Sequence, residues 1–191
     1  MKVGLFFGSF NPVHSGHLII ANCIVENTDL DALWMVVSPH NPHKERASLA
    51  DDFTRLHLVN LAVEEHPKIK SCSIEFDLPK PSYTVDTLIH LQEKEPDIDF
   101  VLIMGGDNLA SFSKWKNHEV ILKNHEIYVY KRPNYDLGPY QQHAAVRIID
   151  APLMEISSSV IRGLIKEKKS IRYWVPEKVM KEIELSALYT T

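Results

Sequence analysis

Two histidines, His14 and His17, flank Gly16 within the run Gly8-Ser9-Phe10-Asn11-Pro12-Val13-His14-Ser15-Gly16-His17. An apolar stretch, residues 3–7, precedes this run, and an apolar-periodic segment begins just after it at Leu18. Strand, Gly-rich turn and helix in that order put the histidines where a helix starts. A helix start offers N–H groups without intrahelical partners and the positive end of a dipole, which favours an anion. Two imidazoles there can donate to the same phosphate oxygens. A tight turn with ordinary histidines is the plainer reading. Two glycines, a proline and two histidines in one turn point instead to a grip for a nucleoside triphosphate.

A second constellation lies near the other end: Ile156-Ser157-Ser158-Ser159-Val160-Ile161-Arg162. Ser157 or Ser158 is a natural helix N-cap, and a capped helix alone would explain the serines. The functional reading adds that hydroxyls and N–H groups at a helix start bind phosphate. Arg162, four residues past Ser158, would project from the first turn toward the same anion. Two helix starts facing one polyphosphate would hold it from both ends. The sequence shows no obvious Ser/His/Asp set and no paired carboxylates.

These segments need elements to position them. Apolar, β-branched or aromatic runs at 3–7, 32–37, 73–76, 100–104, 127–130 and 146–149 predict strands. Leu18, Ala21 and Val25 share one helical face; Phe53, Leu56, Val59 and Val63 share another, with Asp51 or Asp52 as cap; Val85, Leu88 and Leu91 mark a third. Strands alternating with helices predict an α/β fold with a parallel sheet covered by helices on both faces. Ligands in such sheets bind beyond the carboxyl ends of the strands. Beyond Pro152 only helical patterns follow, over 158–168 and about 176–188. The reading is a single domain, residues 1–191, with an α/β core over 1–150 and a short C-terminal helical part over 151–191.

A net charge of −4 argues against a broad nucleic-acid surface. No apolar run is long enough to span a bilayer, so no membrane is expected. The chain enters a strand pattern at once, without a signal-peptide cleavage region. Cys23 and Cys72 sit in apolar surroundings and read as unpaired thiols, so the expected compartment is the cytoplasm and no protein-held metal is expected. The C-terminal helices and residues 136–145 could line a homo-oligomer interface or simply cover the sheet.

Together the two motifs resemble the signatures of the nucleotidylyltransferase superfamily, an H-x-G-H after the first strand and an I-S-S-T-x-I-R-like motif near the end. Between them, Ser38-Pro39-His40-Asn41-Pro42-His43-Lys44, Pro81-Ser82-Tyr83-Thr84-Val85-Asp86-Thr87-Leu88, Met104-Gly105-Gly106-Asp107-Asn108-Leu109 with Trp115 beyond, and Lys131-Arg132-Pro133 follow in the order seen in nicotinate-nucleotide adenylyltransferases. The resemblance covers residues 3 to about 175. It implies a Rossmann-like fold and transfer of AMP from ATP to nicotinate mononucleotide, giving deamido-NAD and pyrophosphate, with Mg²⁺ arriving on ATP. It implies that Gly8, Ser9, Phe10, His14, His17, Gly105, Asp107, Ile156, Ser157, Ser158 and Arg162 meet ATP, with His14, His17 and Arg162 catalytic. It implies that Asn41, His43, Lys44, Tyr83, Thr84, Asp107, Trp115 and Arg132 meet the mononucleotide. In that arrangement main-chain N–H groups of the 82–84 loop hold the nicotinate carboxylate, and Trp115 stacks on the pyridine ring. Departures from the family pattern are Phe7 for a second glycine, Asn11 for aspartate, and Ser9 and Ser159 for threonine. Arg55, by contrast, reads as structural.

Overall fold

The computed structural model describes residues 1–39, 49–132 and 136–190. Six strands, β1 (Lys2–Gly8), β2 (Ala32–Val37), β3 (Ile69–Cys72), β4 (Asp99–Gly105), β5 (Ile127–Tyr130) and β6 (Val146–Ile149), form one sheet in the order β3-β2-β1-β4-β5-β6. Every neighbouring pair is parallel. The helices are α1 (Ser15–Asn27), α2 (Asp52–Val63), α3 (Thr84–Lys94), α4 (Gly106–Ala110), α5 (His118–Asn124), α6 (Ser158–Lys166) and α7 (Glu177–Leu185). This is the Rossmann-like α/β architecture that the alternating pattern predicts.

The side chains of a strand alternate between faces, and a sheet covered on both sides buries both sets. In β2, Leu33, Met35 and Val37 enter one core with Ile24 of α1, Leu58 of α2, Ile161 of α6 and Val179 of α7. Trp34 and Val36 enter the other core with Leu88 of α3, Leu109 of α4 and Ile121 of α5. All six β2 residues are buried. Asp51 caps α2, accepting the Thr54 N–H at 3.0 Å.

One expected strand is displaced. Residues 73–76 do not extend the sheet; Ile74–Asp77 forms a 3₁₀ turn, and the edge strand is the preceding Ile69–Cys72. An edge strand pairs on one side only, here with β2, so polar Lys70 and Ser71 are tolerated where a central strand would be apolar. The apolar residues of the turn serve as plugs, Ile74 in one core and Phe76 against the other. The short helices α4 and α5 carry too few residues for a periodic signal and were not expected.

The chain leaves β1 for β2 on one side and later returns to pair β4 on the other. Connections diverge there, so a crevice opens beyond the carboxyl ends of β1 and β4. Gly8 closes the first of these strands and Gly105 the second. Among the described residues no helix is long and apolar enough to cross a membrane.

Candidate active site

The turn after β1 is built by close approaches. Phe10 takes a left-handed backbone, φ 43°, which lays its ring across Gly8. A Cβ at Gly8 would fall 2.7 Å from that ring, so the position requires glycine. The Phe10 ring in turn meets Phe6 at 5.9 Å and His17 at 5.0 Å, both edge to face. A Cβ at Gly16 would fall 3.1 Å from His14 Nδ1 and 3.3 Å from Ile156 Cβ. Glycine here lets α6's approach segment and the His14 ring close on the first turn of α1.

His14 and His17 cap α1 reciprocally. The His17 N–H donates to His14 Nδ1 and the His14 N–H to His17 Nδ1, each at 3.3 Å. The rings stack 3.6 Å apart at 20°. With both Nδ1 atoms accepting, each neutral ring carries its proton on Nε2, so both can donate outward. Burial brings His14 from the ordinary 6.5 down to about 4, and the charge of Arg132 adds to this. His17 is lowered well below its ordinary value by burial first, then by His14 and Arg132. Near neutral pH the pair is therefore two dipolar N–H donors rather than two cations.

This arrangement changes what the helix start supplies. The Ser15 N–H donates to Trp174 O at 2.9 Å, and the His17 N–H is taken by His14. The imidazole Nε2–H groups thus stand in for backbone donors that the fold has already used. At α6, Ser157 caps the helix by accepting the Val160 N–H at 3.3 Å, while Ser158 Oγ donates to Pro12 O at 2.9 Å. Arg162 Nη1 donates to Asn11 O at 2.7 Å. The second motif therefore reaches the first directly, and Ser158 and Arg162 brace the histidine turn.

A second brace comes from beneath. Arg55 is fully buried and gathers three carbonyls: Nη1 donates to Ser9 O at 2.6 Å and Ser38 O at 2.8 Å, and Nε to Ala50 O at 3.0 Å. Its Nη2 pairs with Asp52 at 2.5 Å. Asn11 Oδ1 accepts the Ala50 N–H at 3.1 Å, a bond to an oxygen that the family's aspartate would also offer.

Across the crevice, Gly105 ends β4 and lets two side chains approach its backbone: a Cβ there would run into Asp107 Oδ1 and fall 2.9 Å from Arg132 Nε. Asp107 Oδ1 pairs with Arg132 Nε at 3.3 Å, and Arg132 Nη2 donates to the Tyr130 hydroxyl at 3.2 Å. Arg132 is also the positive charge felt by both histidines, so the two sides of the crevice are coupled electrostatically. Further out, Trp115 packs against Phe112 with centroids 5.4 Å apart. Lys116, which the sequence did not single out, pairs with Asp86 at 2.9 Å and lies 4.5 Å over the exposed Tyr83 ring. It ties the Trp115 segment to the start of α3. Thr84 opens α3 behind Tyr83, which is extended (φ −117°, ψ 144°) and supplies no side-chain cap. Asn41, His43 and Lys44 lie outside the described residues.

The histidine environment has a consequence for stability. Unfolded, His14 takes up a proton near 6.5; folded, only near about 4. Between those values the unfolded chain binds more protons, so stability is full above about pH 6.5 and falls as pH drops toward 4. His14 alone should cost on the order of 3 kcal/mol across that window. Chemical denaturation of wild type and His14→Asn at pH 7 and pH 4.5 checks this. Asparagine keeps a capping oxygen, and its pH slope should be clearly flatter; an equal slope would remove His14 as the cause.

Residues 5–164 match the cytidylyltransferase-like family model. A protein of Flavobacterium psychrophilum named "probable nicotinate-nucleotide adenylyltransferase" is 58% identical over 191 residues, spanning 99% of both chains. One of the same name from Bacteroides thetaiotaomicron is 46% identical, spanning 96% of this chain and 91% of its own. In fold, the chain is similar to Plasmodium falciparum nicotinic acid mononucleotide adenylyltransferase, solved in complex with NaAD, with a TM-score of 0.80 at 17% identity over 98% and 97% of the two chains. The family match over residues 5–164 and identities of 46–58% along nearly the whole chain lead to one conclusion: the chain belongs to the cytidylyltransferase-like family and, within it, to the nicotinate-nucleotide adenylyltransferases.

Proposed function

We propose that this chain transfers AMP from ATP to nicotinate mononucleotide, giving deamido-NAD and pyrophosphate in NAD biosynthesis. The observation that carries the reading is the reciprocally capped histidine pair, with two Nε2–H donors at the crevice between β1 and β4. The attacking phosphate is already ionised near neutral pH, so the reaction requires no general base. Its demands are positioning and stabilisation of charge at the α-phosphate and the departing pyrophosphate. Neutral imidazoles serve this as hydrogen-bond donors, and their low proton affinity suits donation without proton abstraction. His14, His17 and Arg162 are assigned to that charge. Gly8, Ser9, Phe10, Gly105, Asp107 and 156–158 are assigned to ATP.

On the acceptor side we assign Asn41, His43, Lys44, Tyr83, Thr84, Asp107, Trp115 and Arg132. An uncapped α3 start leaves N–H groups without intrahelical partners, which suits the nicotinate carboxylate. A planar indole suits the pyridine ring. A divalent cation generally accompanies ATP in enzymes of this kind, and we assign it as Mg²⁺ held by phosphates and waters, where it would neutralise charge on the leaving group. The protein groups fit this: near the histidines they are N–H donors suited to phosphate oxygen. All assigned residues come from one chain, which we treat as a single domain, and the two unpaired thiols suit a cytoplasmic setting.

Pyrophosphate release tests the reading. With ATP present, nicotinate mononucleotide should support turnover above that with nicotinamide mononucleotide. Phosphopantetheine and the no-acceptor control should give none. Turnover with phosphopantetheine alone would assign a sister activity of the superfamily, and silence with every acceptor would leave a nucleotide-binding protein without catalysis.

A further inference from the structure

The strongest feature that the assigned reaction leaves unused is a buried carboxylate. Glu75, in the 3₁₀ turn Ile74–Asp77, is 3% exposed. Thr87 Oγ1 donates to it at 2.8 Å, and the hydroxyls of Ser38 and Ser82 are the other nearby donors that favour its charged form. These three donors come from three places. Ser38 ends the β2 edge of the crevice, and its carbonyl is held by Arg55. Ser82 immediately precedes Tyr83 and Thr84. Thr87, fully buried, lies in the first turn of α3, with its Oγ1 also 3.3 Å from Tyr83 O. The backbone of Glu75 holds the near end of the same loop, since its carbonyl accepts the Leu78 N–H at 3.4 Å.

A carboxylate in this position is costly. Burial pushes its pKa up against the hydroxyl donors that favour the ion, and an apolar side chain would fill the space at lower cost. What the carboxylate adds is direction: its bond to Thr87 sets the start of α3 against the 3₁₀ turn, while the Glu75 carbonyl holds the near end of the loop. We infer that Glu75 is a positioning residue for the acceptor, holding Thr87 so that the uncapped N–H groups at the start of α3 face the nicotinate carboxylate. This rests on the assignment of the 82–84 loop to the acceptor.

The test is the KM of each substrate in three variants. Glu75→Ala should raise the KM for nicotinate mononucleotide at least about tenfold, as loss of a held geometry does, and leave the KM for ATP within about twofold. Glu75→Gln, whose amide oxygen still accepts and whose NH₂ can donate to a hydroxyl oxygen, should come back to within about threefold of wild type. If Glu75→Ala does not fold, Thr87→Val removes the α3 end of the same bond and carries the same expectation. A folded Glu75→Ala or Thr87→Val protein with an unchanged acceptor KM, or with both KM values raised alike, overturns the inference. Thr84→Pro separates this from the underlying assignment: proline fits the first position of a helix behind an extended residue and deletes one N–H. If Thr84→Pro raises the acceptor KM while Glu75→Ala does not, Glu75 alone is misassigned. If neither raises it, the loop does not hold the acceptor and both claims fall.

Discussion

His17→Ala should lower kcat by about 10²–10³ while the protein stays folded, the usual cost of deleting one preorganised donor to developing charge. The geometry says why the loss should fall on kcat more than on the KM for ATP. The ring is fixed by its Nδ1 bond to the His14 N–H and by the edge of Phe10, so its Nε2–H is aimed before the substrate arrives. A donor held in this way gains most where charge grows, at the α-phosphate in the transition state. Deleting the ring also removes one half of the reciprocal cap, which should cost about 1 kcal/mol of stability. That loss is too small to unfold the chain, and circular dichroism at the assay temperature checks it. His17→Gln, with an Nε donor at similar reach, should recover part of the rate. Near-normal turnover in folded His17→Ala would remove His17 from the chemistry.

Arg55→Ala should be the most destabilising single change in the crevice, about 3–5 kcal/mol, because it strips a buried charge from its partners. Three carbonyls, of Ser9, Ser38 and Ala50, would lose their donor together, and each buried acceptor left without one costs about 1–3 kcal/mol. At roughly 2–4 °C per kcal/mol for a chain of this size, the melting temperature should fall by about 10 °C. Arg55→Lys should recover little, since one ammonium on a flexible stem cannot serve three fixed carbonyls and Asp52 at once. The ATP turn should loosen in parallel, because Ser9 is one of the tethered residues. Urea midpoints of the two variants against wild type decide this, and a loss under about 1 kcal/mol would mean that water replaces the guanidinium.

Arg55 also shows where sequence reading ends. Its pattern placed it on a helix and its role as structural, and the structure agrees. Nothing in its neighbours, however, names Ser9, Ser38 and Ala50 as the carbonyls it collects. Their separations, up to 46 residues, are set only when β1, β2 and α2 pack. Glu75 was hidden for a related reason. Its run, Ser73 to Phe76, has a strand's composition, and its carboxyl group would count against burial; only the turn that brings Thr87, Ser82 and Ser38 to it makes burial tolerable. Lys116 likewise meets Asp86, 30 residues away, and Tyr83 only once α3 and the Trp115 segment pack together.

Alternating apolar runs specify a covered parallel sheet because each strand must bury both faces. A His-x-Gly-His turn at a strand end reads as a phosphate grip because short-range backbone geometry is enough to place it. The sequence by itself therefore determined the architecture, the crevice edge and the family of the chemistry. Tertiary structure alone decided the protonation of the grip. The lowered proton affinity of His14 and His17 depends on burial and on the charge of Arg132, more than 110 residues away. It also decided that Ser158 and Arg162 reach across to Pro12 and Asn11. Desolvation and long-range charge arise only once the chain has closed around the site.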